Sequence, residues 1–292
     1  MLALASRFLW LGYGLVWIIA ACFFLLLPRA RRASMRFLQR VDAAASANAP
    51  RPRQQPRGRC AFQSYRHFVE YGRLLLDRAL VLARPHHGFT IDCSGLIHLR
   101  NAAETSRGVI LLSAHFGMTE IAAPYVGKMG IGRRMNIVMY QDPRDGTEQF
   151  HLKYRHMLQD VNVISTIDPL AAGVRIMAAL SRGEIVAMRA DRTLDGKGTT
   201  ARLLGETLQL PAGPFIAAAL SGARVLYVDT LRVGHRHYRC LISEAPAHGT
   251  PTREHYIARA AADFAAHLDQ IVPRYPLQWG NFFDLWATQP TS

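Results

Sequence analysis

His115 is followed five residues later by Glu120, at the end of an apolar stretch that reads Val109-Ile110-Leu111-Leu112-Ser113-Ala114-His115-Phe116-Gly117-Met118-Thr119-Glu120. A continuous apolar run as short as Val109–Ser113 suits a strand buried on both faces. Such a strand delivers His115 at its C-terminal end, where ligand sites in α/β sheets usually lie. Gly117 lets the backbone turn sharply, so a strand-end histidine and an acid in the first turn of the next helix can meet. Neutral imidazole is the side chain best matched to accepting a proton near pH 7. A carboxylate on its second ring nitrogen fixes the tautomer and stabilises the imidazolium that forms. With a substrate hydroxyl in place of serine, this is the logic of a Ser-His-Asp triad. The competing reading is a structural histidine, because an H-x4-E spacing also arises by chance.

Other residues could line the same site. Asp191 follows the apolar run Ile185–Met188 and reads as a site residue or as a helix cap. Arg192 has the chemistry to bind a phosphate, or to make a surface ion pair. Gly205, Pro211 and Gly213 shape a long loop, read over Thr193–Gly213, whose backbone N–H groups could face a phosphate or carbonyl. Phe116 and Gly117 join Asp191, Arg192 and these three as expected substrate contacts, beside His115 and Glu120 as the catalytic pair. No G-x-S-x-G elbow suggests an acyl-enzyme. His86, His87, His235 and His237 have no acid or thiol at metal-ligand spacing, so no metal is expected. Cys22, Cys60, Cys93 and Cys240 are scattered, without a C-x-x-C pair.

These residues need a scaffold and a location. Phe8–Leu27 (FLWLGYGLVWIIAACFFLLL) carries no charge, and about twenty apolar residues cover the ~30 Å core of a bilayer. Arg29, Arg31, Arg32, Arg36 and Arg40 follow, against Arg7 alone in front. The positive-inside rule then expects a single-pass anchor with the rest of the chain on the cytoplasmic face of the membrane. Residues 42–60 (Ala-, Pro- and Arg-rich) read as a linker, after an anchor and basic segment over 1–41 and before a catalytic domain over 61–292. Phe62–Leu82 has helical spacing. Helices are expected at Met118–Lys128, Gln149–Asp160, Pro169–Ser181, Phe215–Leu220 and Glu254–Ile271. Strands are expected at Asn136–Tyr140, Val161–Ser165, Ile185–Met188, Arg224–Arg232 and Tyr238–Ser243, the last two as a hairpin. The alternation predicts an α/β fold: a single mixed sheet layered with helices, preceded by one N-terminal transmembrane helix. The formal charge of +14 draws the protein to polyanions. Much of that excess adjoins the apolar segment, and no nucleic-acid motif is present, so membrane lipids rather than nucleic acid are the expected partner.

Ser113–Glu120 resembles the H-x4-D/E box of the lysophospholipid acyltransferase superfamily, and more narrowly the A-H-F/L-G-N-W-E form of the bacterial late lipid A (lauroyl and myristoyl) acyltransferases. Three further blocks are similar in order: Val186–Arg192, which in that family often ends in Asp-Gln; Leu203–Phe215, followed by LSGARV at Leu220–Val225; and Tyr275–Trp286. The resemblance spans about residues 65 to 287. It implies a glycerolipid acyltransferase-like fold in which His115, held by Glu120, deprotonates an acceptor hydroxyl. That hydroxyl attacks an acyl thioester of acyl carrier protein or coenzyme A, which serves as co-substrate, with no cofactor. Met118-Thr119 replaces Asn-Trp, Arg192 replaces Gln, Ala212 replaces Glu, and Arg144 is the candidate for the second-block arginine; these departures leave the acceptor open. A membrane-tethered module that binds anionic lipid without catalysis, and a His-based lipid hydrolase, are the alternatives.

Overall fold

The computed structural model describes residues 2–47, 57–83, 88–118, 132–140, 161–193, 198–249 and 252–286. Three helices come first: α1 (Leu2–Leu26), α2 (Pro28–Ala47) and α3 (Arg57–Ala83). Pro28 opens α2, where its missing N–H costs nothing, and the chain turns by 100° between α1 and α2. Among the described residues no single helix is long and apolar enough to cross a membrane; the bent pair Trp10–Leu26 and Pro28–Ser46 meets that test together. The single spanning helix expected over Phe8–Leu27 is therefore the first arm of this pair. Helix α2 also runs on through Asp42–Ala47, part of the expected linker, because an alanine-rich run favours helix. The rest of the linker core, 48–56, lies outside the described residues.

Helix α1 is seated on α3 by more than apolar packing. Tyr13 on α1 donates its hydroxyl to the buried carboxylate of Asp77 on α3. The Tyr238 hydroxyl donates to the other oxygen of Asp77 at 2.5 Å. Arg232 pairs with Glu70 at 2.8 Å beside them. The outer face of α1 stays exposed, with Trp10, Leu11, Leu15, Ile18, Leu25 and Leu26 uncovered.

The remaining elements are β1 (Thr90–Ser94), α4 (Leu96–Glu104), β2 (Val109–Ser113), β3 (Met135–Met139), β4 (Val161–Ser165), α5 (Pro169–Ser181), β5 (Ile185–Arg189), β6 (Thr199–Leu203), β7 (Glu206–Leu210), α6 (Ala212–Ser221), β8 (Arg224–Gly234), β9 (His237–Glu244) and α7 (Arg253–Ile271). Seven strands form one mixed sheet in the order β1-β9-β8-β2-β5-β3-β4. Every pair is parallel except the β8–β9 hairpin. Strand β2 sits in the middle, and its apolar run is buried on both faces: Ile110 and Leu112 belong to a core cluster with residues of α2, α5, α6 and α7, Val109 and Leu111 to one with residues of α4. Helix α5 starts where Asp168 caps the N–H groups of Leu170 and Ala171, one residue ahead of Pro169.

The mixed sheet layered with helices is as expected, with differences in detail. The stretch read as a long loop over Thr193–Gly213 contains the antiparallel hairpin β6–β7, turned at Leu204-Gly205. Strand β1 and helix α4 had no counterpart in the sequence reading. The helices expected at Met118–Lys128 and Gln149–Asp160 lie outside the described residues but for Met118.

Candidate active site

The parallel pairing of β2 with β5 sets Ser113 opposite Arg189. Two residues further along each strand, the same register brings His115 beside Asp191. The Nδ1 of His115 lies 2.8 Å from one oxygen of Asp191, and the His115 backbone N–H donates to the other at 3.1 Å. That second oxygen also accepts the Trp279 indole N–H at 2.9 Å. The Asp191 carboxylate is thus fully enclosed, whereas the His115 side chain keeps 28% of its surface open. One end of the imidazole is fixed, and Nε2 has no hydrogen-bond partner among the described residues.

Burial pushes the Asp191 carboxyl up, but the neighbouring His115, the hydrogen bonds from His115 and Trp279, and the Arg192 charge outweigh it and hold it well below the usual carboxylate range. Asp191 is therefore ionised and can only accept, so Nδ1 carries the proton and Nε2 keeps its lone pair. Burial lowers the His115 pKa, Arg189 and Arg192 add to that, and Asp191 opposes it. The ring is neutral near pH 7, as a general base must be.

The backbone around His115 is pinned from two sides. Gly280 N–H donates to the His115 carbonyl at 2.8 Å, Gly117 N–H to Gln278 at 2.9 Å, and Met118 N–H to Thr230 at 2.9 Å. Gly117 has φ +62°, and a Cβ there would lie 1.9 Å from the Thr230 carbonyl oxygen. Only glycine turns the chain here without a clash.

Behind this wall lies a polar relay that the sequence reading missed. Fully buried His67 donates from Nε2 to the Trp279 carbonyl at 2.7 Å, and its Nδ1 takes the Ser34 hydroxyl at 2.9 Å. Ser64 donates in turn to Ser34 at 2.9 Å. Helices α2 and α3 thereby position the segment that carries Trp279. Burial pushes the His67 pKa down to about 4. The unfolded chain takes up this proton below its ordinary value of about 6.5 while the folded chain refuses it, so stability is lost as pH falls from about 6.5 toward 4. The loss attributable to His67 is about 3 kcal/mol at the lower end. Thermal unfolding across this range should show the slope, and His67→Gln should flatten it.

The other expected site residues divide into two groups. Arg192 adjoins the pair but is committed: it donates to the Asn281 side-chain oxygen and the Gly280 carbonyl, both at 2.6 Å, and lies over the Phe283 ring. Phe116 is buried and bridges Trp279. Gly205 turns the β6–β7 hairpin, where Asp269 accepts the Leu204 N–H at 2.7 Å, and Pro211 and Gly213 begin α6. None of these three hydrogen-bonds to His115, Asp191 or residues 279–281 among the described residues. Glu120 lies outside the described residues; the carboxylate seen on His115 is that of Asp191, which the sequence reading had grouped with substrate contacts. Trp279 was legible only as an aromatic near the C-terminus, within a block similar to the acyltransferase ending.

A strand-end histidine with one ring nitrogen locked by a buried acid, and the other without a hydrogen-bond partner among the described residues, is an arrangement that can accept a proton in an α/β protein. The model of the bacterial lipid A biosynthesis acyltransferase family matches residues 2–288, so the chain belongs to that family. It is accordingly an acyltransferase that acts on lipid. No individual curated protein matches it.

Proposed function

We propose that the protein moves a fatty acyl group from a thioester of acyl carrier protein or coenzyme A to a hydroxyl of a lipid acceptor, with His115 as general base. The observation that carries this is the His115–Asp191 pair, which leaves Nε2 unprotonated and without a hydrogen-bond partner among the described residues. In the first step Nε2 takes the acceptor O–H proton as the oxygen bonds to the thioester carbon. The carbonyl electrons move to oxygen, giving a tetrahedral oxyanion. As that intermediate collapses the C–S bond breaks, and the thiolate leaves with the proton from Nε2. Asp191 stays ionised and stabilises the imidazolium between the steps. Glu120, five residues on, is proposed as a second acid of the site. No cofactor enters the balance.

The exposed apolar face of α1 and the arginines of α2 support a place at a membrane, with catalysis on the cytoplasmic face of the bacterial inner membrane. Purified protein in detergent, supplied with acyl-carrier and acyl-CoA donors and a membrane lipid extract, should form acylated lipid. Equal product from wild type and His115→Ala would remove the proposal, and release of free fatty acid without acceptor would point to hydrolysis. The rate should also fall on acidification, because protonated His115 cannot act as base. Since its pKa is lowered by burial, the midpoint of that fall in a kcat/KM profile should lie below about 6.5.

A further inference from the structure

Helix α2 carries Arg29, Arg31, Arg32, Arg36 and Arg40 with a single acid, Asp42. Two of these cations lie over aromatic rings of the fold. Arg31 donates to the Phe24 carbonyl and lies over the Phe24 ring. Arg40 pairs with Glu206 and Asp284 and stacks on Trp286. Arg32 and Arg36 differ. They stand one turn apart on the face that also bears Met35 and Gln39, and these four residues with Cys60 of α3 line an open cleft of about 310 Å³. Among the described residues Arg32 uses only its Nε, on the Pro28 carbonyl of its own helix. Arg36 reaches Asp284 at 3.2 Å with a side chain 63% exposed. Asp284 is shared by Arg36 and Arg40, so the two guanidinium groups of the cleft, Arg32 and Arg36, have only part of one carboxylate between them among the described residues; Met35 and Cys60, whose thiol bonds the Met35 carbonyl, complete the lining. At the α1–α2 bend, a turn before Arg32, Leu25, Leu26 and Leu27 are exposed.

We propose that this cleft binds the phosphate headgroup of an anionic phospholipid, a site separate from the His115 pair. Guanidinium pairs are the side chains of choice for phosphate, since their planar forks bond its oxygens in parallel. The amide of Gln39 supplies a further donor. The neighbouring leucines place an acyl tail beside the headgroup, which distinguishes a lipid from free phosphate.

The test uses the full chain in detergent, with native mass spectrometry reading retained lipid, and needs no acyl donor, so it stands apart from any assay of acyl transfer. Phosphatidylglycerol should be retained about tenfold more than phosphatidylcholine. The double variant Arg32→Gln, Arg36→Gln should lose that excess while its phosphatidylcholine retention is unchanged. Arg32→Gln alone, which leaves the Arg36–Asp284 pair intact, should lose part of it. Inorganic phosphate at the same concentration should fail to displace the lipid. Retention of the preference in both variants, or equal retention of the two lipids by wild type, would overturn the site. Displacement by inorganic phosphate would overturn the lipid as its occupant.

Discussion

His115→Ala should lower the rate of acyl transfer by about 10²–10⁴-fold, the usual cost of losing a general base. Its fold should survive. The backbone contacts that fix residue 115, from Gly280 and to Asp191, use main-chain atoms and remain in the variant. Asp191 loses one donor but keeps the Trp279 indole and the residue 115 N–H, with the Arg192 charge close by. Thermal unfolding near the wild-type temperature together with a collapsed initial rate is the expected pair of results. A rate within a few-fold of wild type would show that another group removes the proton.

The position of this base was legible in the sequence because it depends on local order alone. Val109–Ser113 is apolar throughout, the histidine follows, and Gly117 marks the turn. What holds the base was not legible, because it depends on which strands pair and in what register. Asp191 stood out as an acid at a strand end, yet nothing in the chain says that β2 and β5, 76 residues apart at the site, lie side by side. The acid nearest in sequence, Glu120, was the natural choice for that reason.

The same limit explains His67 and Trp279, which meet across 212 residues. It also explains Cys93 and Cys240, which looked scattered and are direct register partners in β1 and β9. The β6–β7 hairpin was lost for a different reason. Its strands are five residues each, and only alternate side chains are buried, so the apolar signal is thin beside the flanking Gly and Pro. Helix α2 was not read as a helix: its arginines marked a basic segment after the anchor, and the prolines beyond it drew the linker back over its alanine-rich end.

Asp191→Asn should cost about as much as removing the histidine itself, although it changes no shape. Among the described residues, the three groups that hydrogen-bond this carboxylate are all donors: His115 Nδ1–H, the His115 backbone N–H and the Trp279 indole N–H. An amide has one accepting oxygen and one NH₂. If the oxygen serves Trp279 and the backbone, the NH₂ faces Nδ1, which must give up its proton to accept. The proton then sits on Nε2, and the ring presents a donor where the reaction needs a base. If the amide turns the other way, the tautomer is kept, but two N–H donors meet an NH₂ in a buried site, at about 1–3 kcal/mol for each unsatisfied group. The first arrangement keeps the hydrogen bonds and loses the base, as with the corresponding substitution in a Ser-His-Asp triad, which costs about 10⁴ in rate. The expected result is therefore a folded protein with its rate down about 10²–10⁴-fold. Glu120→Gln, measured beside it, separates the two acids: if Glu120 alone orients His115, that variant collapses and Asp191→Asn keeps the wild-type rate.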